Sequence, residues 1–158
     1  AAVADYAATK HGLRVLLCGG RSELELEYGA HIAGLMRAPC VHLIGKDTLL
    51  DLLATLARAT VLLTPDSGPA HMATTVGTPV IGLYAATNPE RSGPYYSRRW
   101  CVDRYDAAAR HFLGKPAIGL PWTTKIERPG VMDLITPADV VERLDALMAA
   151  GAPRPQTG

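Results

Sequence analysis

Short apolar runs alternate with amphipathic segments along most of the chain, and this alternation predicts its secondary structure. Four mainly apolar runs of strand length occupy residues 15–18, 40–44, 61–64 and 80–83, as expected of strands buried on both faces. In the segments between these runs, apolar residues recur at helical spacing. Such strands are joined by right-handed crossovers, so the pattern predicts an α/β fold with a doubly wound, mainly parallel, Rossmann-like sheet.

The predicted helices begin and end at recognisable signals. Ser22 with Glu25, and Thr48 with Asp51, have the spacing of a capping box. Gly77 has the position of a helix stop. We therefore expect a helix after each of the first three strands.

The second half of the chain has a looser pattern. Residues 85–98 predict a long loop, 105–113 a short helix, and 115–130 an irregular segment. A last helix begins at Thr136, and residues 151–158 are expected to form a disordered tail. The domain then covers residues 1–150, and its long loops are typical of a binding surface or a cover over one.

Composition narrows the class of protein. The chain has 158 residues with 16 Lys and Arg against 15 Asp and Glu, and this balance excludes electrostatic binding of nucleic acid as its main function. Three cysteines without a CxxC pair favour a reduced compartment. Residues 67–89 lack acids, lysine and arginine but are interrupted by glycine and proline, so no membrane span is predicted. The first residue is Ala1 and no secretory signal follows it, so the start resembles a cut.

Candidate ligand contacts lie where strands lead into helices, because the ligand crevice of an open α/β sheet lies beyond the carboxyl ends of its strands. Gly19 and Gly20 form the first such turn, where the lack of side chains lets a ligand approach the backbone. Glu23 follows in the first helical turn, where the helix dipole alone also favours an acid. The two glycines lack the dinucleotide-binding G-x-G-x-x-G spacing.

The second strand-to-helix turn contains more candidate ligand-binding groups. Asp66, Ser67 and Gly68 precede a helix whose first N–H groups and positive dipole end suit a phosphate. His71 falls opposite the apolar stripe of that helix, so it is predicted to face away from the core and to donate to a diphosphate. The alternatives are that Asp66 and Ser67 only cap the helix and that His71 is a solvated surface residue. The remaining histidines lack the spacing of a metal site.

Three segments together resemble a known family. The sequence D-S-G-P-A-H-M-A at 66–73 is followed by G-T-P at 77–79 and N-P-E-R-S-G-P-Y at 88–95. This order is similar to the heptosyltransferase family, glycosyltransferase family 9, whose motif has the form D-S/T-G-x-x-H-x-A, then G-x-P, then T/N-D/N-P-x-R-x-G-P-Y. The resemblance runs from residue 1 to about 149, and 101–130 looks like a subgroup feature.

The resemblance implies the C-terminal, sugar-nucleotide-binding half of a GT-B glycosyltransferase. Such enzymes transfer an ADP-activated heptose to the inner core of lipopolysaccharide without a metal or other cofactor, at the cytoplasmic face of the inner membrane. The partners implied are a sugar nucleotide, a lipid-linked or oligosaccharide acceptor, and an N-terminal domain that holds the general base. The present chain alone is expected to be inactive.

The resemblance also assigns site residues. His71 is implied to stabilise the leaving group, which makes it the catalytic residue of this half. The diphosphate and sugar are implied to lie among Asp66, Ser67, Gly68, Pro69, Ala70 and His71. The nucleotide is implied to lie by Gly19 and Gly20, with Glu23 at the ribose and Gly45, Lys46 and Asp47 by the adenine.

Two features depart from the family pattern. Pro69 and Ala70 stand where relatives often carry Leu and Ser, so one hydroxyl is missing. The chain also opens with a predicted helix, whereas the family has a strand there followed by a phosphate-contacting lysine. Both are expected upstream of Ala1, and that strand is central in the usual strand order.

Two other functions are compatible with the sequence. A nucleotide-sugar epimerase of GT-B architecture also has an Asp-Ser-Gly turn at a helix start, although acids typically follow it there. A non-catalytic nucleotide-binding module is the other alternative.

Overall fold

The computed structural model of the protein describes residues 1–151, which form two compact units. The first unit is Ala1–Thr55, and the second begins at Leu56. Residues 152–158, which include most of the predicted disordered tail, lie outside the described residues.

The first unit contains a two-stranded parallel sheet. Strand β1 (Val15–Leu17) pairs with β2 (Cys40–His42) so that Leu16 lies opposite Val41. Helix α1 is followed by Gly12, which adopts the left-handed conformation typical of a glycine at a helix end. The elements in chain order are α1 (Ala2–His11), β1 (Val15–Leu17), α2 (Glu23–Leu35), β2 (Cys40–His42) and α3 (Leu49–Arg58), which continues into the second unit.

Side-chain caps begin α2 and α3 as the sequence predicts. The backbone N–H of Thr48 donates to the Asp51 carboxylate (3.0 Å), and the N–H of Asp51 donates to the Thr48 hydroxyl (3.2 Å). This reciprocal pair is a complete capping box. Ser22 likewise accepts from the N–H of Glu25 at 3.3 Å.

The second unit is built on a three-stranded parallel sheet with the order β3-β4-β5. Strand β4 lies in the middle, and its residues Val80, Ile81 and Tyr84 are at most 1% exposed. The elements are β3 (Leu62–Pro65), α4 (Gly68–Thr75), β4 (Val80–Tyr84), α5 (Pro89–Ser92), β5 (Val102–Asp103), α6 (Tyr105–Leu113) and α7 (Pro137–Ala149), with 3-10 turns at Arg98–Trp100 and Val131–Leu134.

The expectation that every strand is buried on both faces is wrong for three of the four predicted strands. Leu16, Val41 and Leu63 are each about two fifths exposed, at 42%, 39% and 42%. The physical reason is that β1 and β2 form a sheet of only two strands and β3 lies at a sheet edge. Part of the apolar surface that the sequence assigns to a core is therefore open in the described residues.

The segment predicted as one loop over 85–98 contains ordered structure. Asn88 caps the short helix α5 by accepting from the N–H of Glu90 at 2.9 Å. The irregular segment over 115–130 is anchored to the core, because the N–H of Ile126 donates to the Ala86 carbonyl (2.8 Å) and Ile126 is 1% exposed. Strand β5 escapes prediction because two residues show no periodicity.

Candidate active site

The turns after β3 and β4 meet at one edge of the second unit's sheet. The two strands are parallel and in register, with Pro65 opposite Leu83, so their carboxyl ends lie side by side. Across this edge the Ser92 hydroxyl donates to Oδ2 of Asp66 at 2.7 Å. The structure therefore brings together the Asp66 turn and the 88–95 loop, which the sequence showed only as two separate motifs.

The start of α4 is not capped by a side chain. Ser67 is the N-cap residue, but its hydroxyl lies 2.8 Å from the Thr64 hydroxyl and makes no cap hydrogen bond. Asp66 is bonded to Ser92 instead. The alternative that Asp66 and Ser67 serve only as helix caps is therefore wrong, and the first turn is left without a side-chain acceptor.

Open space surrounds the first residue of this helix. A Cβ atom built on Gly68 has no heavy atom within 4 Å apart from its chain neighbours and the backbone of its own helix. Pro69 has no N–H, and the N–H of Ala70 donates to the Ser67 carbonyl at 3.1 Å. The Gly68 amide is thus the accessible donor of the first helical position, and an anion can approach it directly.

The two faces of α4 differ as the sequence predicts for His71. Its side chain is exposed, whereas Ala70 and Ala73 are fully buried. His71 is therefore not a core histidine, and its imidazole is available to a ligand. Ala70 offers a ligand neither an exposed side chain nor an unbonded N–H.

The buried phenol of Tyr84 is hydrogen-bonded to the 88–95 loop. The Tyr84 hydroxyl donates to the Ser92 carbonyl at 3.2 Å, and the Tyr84 side chain is fully buried. Burial raises the pKa of this phenol far above its ordinary value, and the charge of Asp66 raises it further. Tyr84 therefore keeps its proton and remains a donor.

Gly82 makes room for that phenol. A Cβ at Gly82 would lie 2.5 Å from the Tyr84 ring and 3.1 Å from the Cys101 sulfur. The glycine in the middle of β4 is explained by this close approach, which places Tyr84 under the loop.

In the first unit, the two predicted nucleotide-side turns are adjacent. The N–H of Gly45 donates to the Gly19 carbonyl at 3.0 Å, and Gly45 has a φ of 74°, which suits glycine. The N–H of Gly20 donates to the Glu25 carboxylate at 2.9 Å. Hydrogen bonds from Ser22 and from this N–H lower the pKa of Glu25.

The remaining predicted residues of the first unit have simpler surroundings. Glu23 is exposed in the first turn of α2, and Lys46 donates to the His42 carbonyl at 2.9 Å. Asp47 is half-buried, and its charge adds to the burial that raises the pKa of Cys18. The geometry around these three residues does not by itself assign a ligand to them.

Sequence reasoning missed two residues of these turns. Glu25 was predicted as part of a cap, yet its carboxylate also accepts a hydrogen bond from the Gly20 N–H. Ser92 stands at the unspecified position of the loop motif, so the motif gave no reason to choose it. Its distance from Asp66 along the chain hides the contact that the parallel register creates.

A shallow cleft lies beside the carboxyl ends of β4 and β5. It has a volume of about 290 Å³ and is lined by Asn88, Tyr105 and residues 117–122. Trp122 is 61% exposed there and Ile118 is 86% exposed. The irregular segment thus contributes apolar surface at the same sheet edge, as its length suggested.

Other kinds of site are not seen in the part of the chain that the structure describes. Within residues 1–151, no three His, Cys, Asp or Glu side chains form a group that could hold a metal ion. Over the same residues, no helix has the length and apolar character needed to cross a bilayer. Cys18, Cys40 and Cys101 are all free thiols.

A parallel sheet with an uncapped helix start, an acid and an exposed imidazole at its carboxyl edge is typical of phosphate- and nucleotide-binding α/β proteins. The model of glycosyltransferase family 9 (heptosyltransferase) matches residues 1–112. The chain belongs to this family, which confirms the resemblance inferred from the sequence motifs.

Relatives and solved structures agree with that assignment. The chain is 39% identical over 140 residues to the lipopolysaccharide core heptosyltransferase OpsX of Haemophilus influenzae, covering 89% of this chain and 40% of the relative. It is 37% identical over 78 residues to lipopolysaccharide heptosyltransferase 3 of Escherichia coli, covering 49% of this chain and 23% of the relative. The chain thus spans at most two fifths of these relatives.

Two solved structures share the fold. A family 9 glycosyl transferase from Veillonella parvula superposes with a TM-score of 0.71 at 24% identity, covering 95% of this chain and 40% of that one. The ADP-heptose heptosyltransferase II of E. coli gives 0.64 at 22% identity, covering 94% and 41%. The predicted α/β fold with parallel sheets is therefore confirmed.

Proposed function

We propose that residues 1–150 are the sugar-nucleotide-binding domain of a glycosyltransferase that transfers an ADP-activated sugar to the lipopolysaccharide core or a related glycan. The observation that carries this proposal is the start of α4, where both potential capping side chains are bonded elsewhere. Family membership and the names of the relatives support the reaction class.

The proposed reaction uses the open helix start to stabilise negative charge. An acceptor hydroxyl attacks the anomeric carbon of the donor sugar, the bond from that carbon to the diphosphate oxygen breaks, and ADP leaves with the electron pair. The Gly68 N–H, the positive end of the α4 dipole and the imidazole of His71 meet the charge that develops on ADP. The acceptor proton passes to the general base that the family places in the N-terminal domain.

The turns of the first unit are proposed, by themselves, as nucleotide contacts. The exposed carboxylate of Glu23 is suited to accept from the ribose hydroxyls. The Gly45 turn, with Lys46 and Asp47, is proposed to lie by the adenine. Because the Gly20 amide already donates to Glu25, the glycine pair is proposed to contribute close approach rather than this hydrogen bond.

The remaining partners follow from the same proposal. The donor is bound without a metal ion or other cofactor, since the Gly68 N–H, the helix dipole and His71 supply the positive partial charges. The acceptor is a lipid-linked or free oligosaccharide, and the reaction takes place in the cytoplasm at the inner face of the inner membrane. Replacing added Mg²⁺ by EDTA should leave the activity of the full-length enzyme unchanged.

Isothermal titration of the full-length enzyme with ADP tests the donor site. We expect His71→Ala to weaken ADP binding by about tenfold, the typical effect of losing a hydrogen bond to a charged group. His31→Ala is the matched control, because His31 is also an exposed helical histidine but lies on α2. Unchanged ADP affinity in His71→Ala would show that the assigned site is wrong.

A second assay separates transfer from epimerisation. The full-length enzyme is incubated with the sugar nucleotide in the absence of acceptor, and the nucleotide sugars are separated by chromatography. The proposal expects the donor to be recovered unchanged. An epimeric sugar nucleotide would support the epimerase alternative instead.

A further inference from the structure

Ser92 has a contact that the family motif does not specify. It is the last residue of α5, and its hydroxyl lies 2.7 Å from Oδ2 of Asp66. The second acceptor within reach is the Asn88 carbonyl, at 3.3 Å. A hydroxyl has one proton to donate, and the shorter bond to a charged oxygen is the stronger of the two. The Ser92 proton is therefore directed to Asp66.

The backbone around Ser92 is fixed independently of that hydroxyl. Its carbonyl accepts from the buried Tyr84 phenol at 3.2 Å, and the N–H of Gly93 donates to the Pro89 carbonyl at 2.8 Å. Asn88 caps the other end of α5. The hydroxyl is thus presented to Asp66 by a turn whose backbone is held by its own hydrogen bonds.

Only one oxygen of Asp66 is used by this contact. Oδ2 accepts from Ser92, whereas Oδ1 has no hydrogen-bond partner among residues 1–151. Asp66 does not cap α4, and the carboxylate is half-buried beside the open helix start. A carboxylate held at one oxygen presents the other in a defined direction.

We propose that Ser92 is a positioning residue, whose hydroxyl holds Oδ2 of Asp66 so that Oδ1 accepts from a hydroxyl group of the donor sugar. This inference rests on the proposed function and assigns the sugar contact to the oxygen that Ser92 leaves open. The serine hydroxyl itself does not touch the donor. Its contribution is to lower the cost of orienting the acid when the sugar binds.

The test compares Ser92→Ala with Ser92→Thr in the full-length enzyme, using steady-state kinetics with the ADP-sugar and titration with ADP. We expect Ser92→Ala to lower kcat/KM for the ADP-sugar by about tenfold, the scale of a hydrogen bond to a charged group. Ser92→Thr keeps the hydroxyl and should retain most of the activity. ADP carries no sugar for Asp66 to bind, so its affinity should change by less than about twofold in either variant.

A double-mutant cycle distinguishes positioning from a merely structural role. If Ser92 acts through Asp66, adding Ser92→Ala to Asp66→Asn should lower kcat/KM no further, because the carboxylate it positions is already gone. The inference would be overturned if the two losses of kcat/KM added in the double variant. It would also be overturned if Ser92→Ala lost ADP affinity by the same factor as kcat/KM. Failure of the wild-type enzyme to bind ADP at all would instead refute the proposed function.

Discussion

The hydroxyl oxygens of Thr64 and Ser67 lie 2.8 Å apart, so the N-cap residue of α4 is bonded back to β3 rather than forward to its own helix. Thr64 is buried, at 8% exposure, and this fixes its hydroxyl next to Ser67. A helix that could have been capped internally is left with an open first turn. The open turn depends on a residue outside the family motif.

Replacing Thr64 should therefore weaken nucleotide binding from a distance. In Thr64→Val the Ser67 hydroxyl loses its partner and becomes free to cap α4 in competition with a diphosphate. A cap is worth about 1 kcal/mol, which corresponds to about a fivefold loss of ADP affinity. Titration of the full-length enzyme measures it. Thr64→Ser keeps the hydroxyl and is the control, and equal affinities in Thr64→Val and wild type would contradict the competition.

A methyl group at Gly68 should block the ligand without harming the fold. The space that its Cβ would occupy is empty, so Gly68→Ala is expected to leave the melting temperature unchanged or slightly raised. ADP affinity should fall by at least about tenfold, because the methyl group occupies the approach to the helix start.

Gly34 provides the matched control for this substitution. It is also exposed and helical, and a Cβ there likewise meets nothing within 4 Å, but it lies near the end of α2. Gly34→Ala should retain ADP affinity. A Gly68→Ala variant that binds ADP normally would mean that the phosphates lie elsewhere.

The stability that α7 contributes to the fold should depend on pH through Asp139. Its carboxylate accepts from the N–H of Thr136 at 2.9 Å, and this bond, with the Thr136 hydroxyl and the nearby Arg104, lowers the pKa of Asp139. Because the folded pKa lies below the unfolded value, the carboxylate adds stability above the unfolded pKa and loses it as pH falls through the folded pKa.

Urea unfolding of Asp139→Ala as a function of pH measures this contribution. We expect the free energy of unfolding to be about 1 kcal/mol lower than wild type at pH 7, the usual effect of a lost cap, with the difference shrinking toward zero in acid. Thr136→Ala also removes the hydroxyl that accepts from the N–H of Asp139, a bond that does not depend on ionisation, so part of its deficit should persist at low pH. A deficit of Asp139→Ala that stays constant with pH would contradict the assignment.

Cys101 should be chemically inert in the folded chain. It is 7% exposed, and burial raises the pKa of its thiol to about 11. At pH 8 only about 0.1% of such a thiol is thiolate, the reactive form. Mass spectrometry after iodoacetamide treatment should show Cys101 modified only when urea is present. Labelling of Cys101 in the native chain at the rate of exposed Cys18 would be inconsistent with this burial.

Much of the fold could be predicted because local signals agree with the final structure. Helix α6 has the predicted limits and ends at Gly114, which is left-handed as a glycine stop requires. The capping box of Thr48 and Asp51 forms as its spacing predicts. Burial of the strands was less predictable, since the exposure of Leu16 depends on which strands lie beside it and not on its own neighbours in sequence.

The candidate site shows the same division. The types of residue at the start of α4 follow from its sequence, and the exposure of His71 follows from helical geometry. The hydrogen-bond partner of each polar group does not follow from the sequence. Asp66 is bonded to Ser92, 26 residues later, because the register of two parallel strands brings them together. The ligand assignments of both turns stay predictions that titration can test.

The complete burial of Ala70 changes what its difference from relatives means. The methyl group is 0% exposed and faces the packed side of α4, so a hydroxyl added to it would lie among buried atoms and not in the proposed donor site. The replacement of serine by alanine at this position is then a change in helix packing, and it carries no information about sugar choice. Redesign of the proposed donor site should leave residue 70 as it is and vary the loop around Ser92.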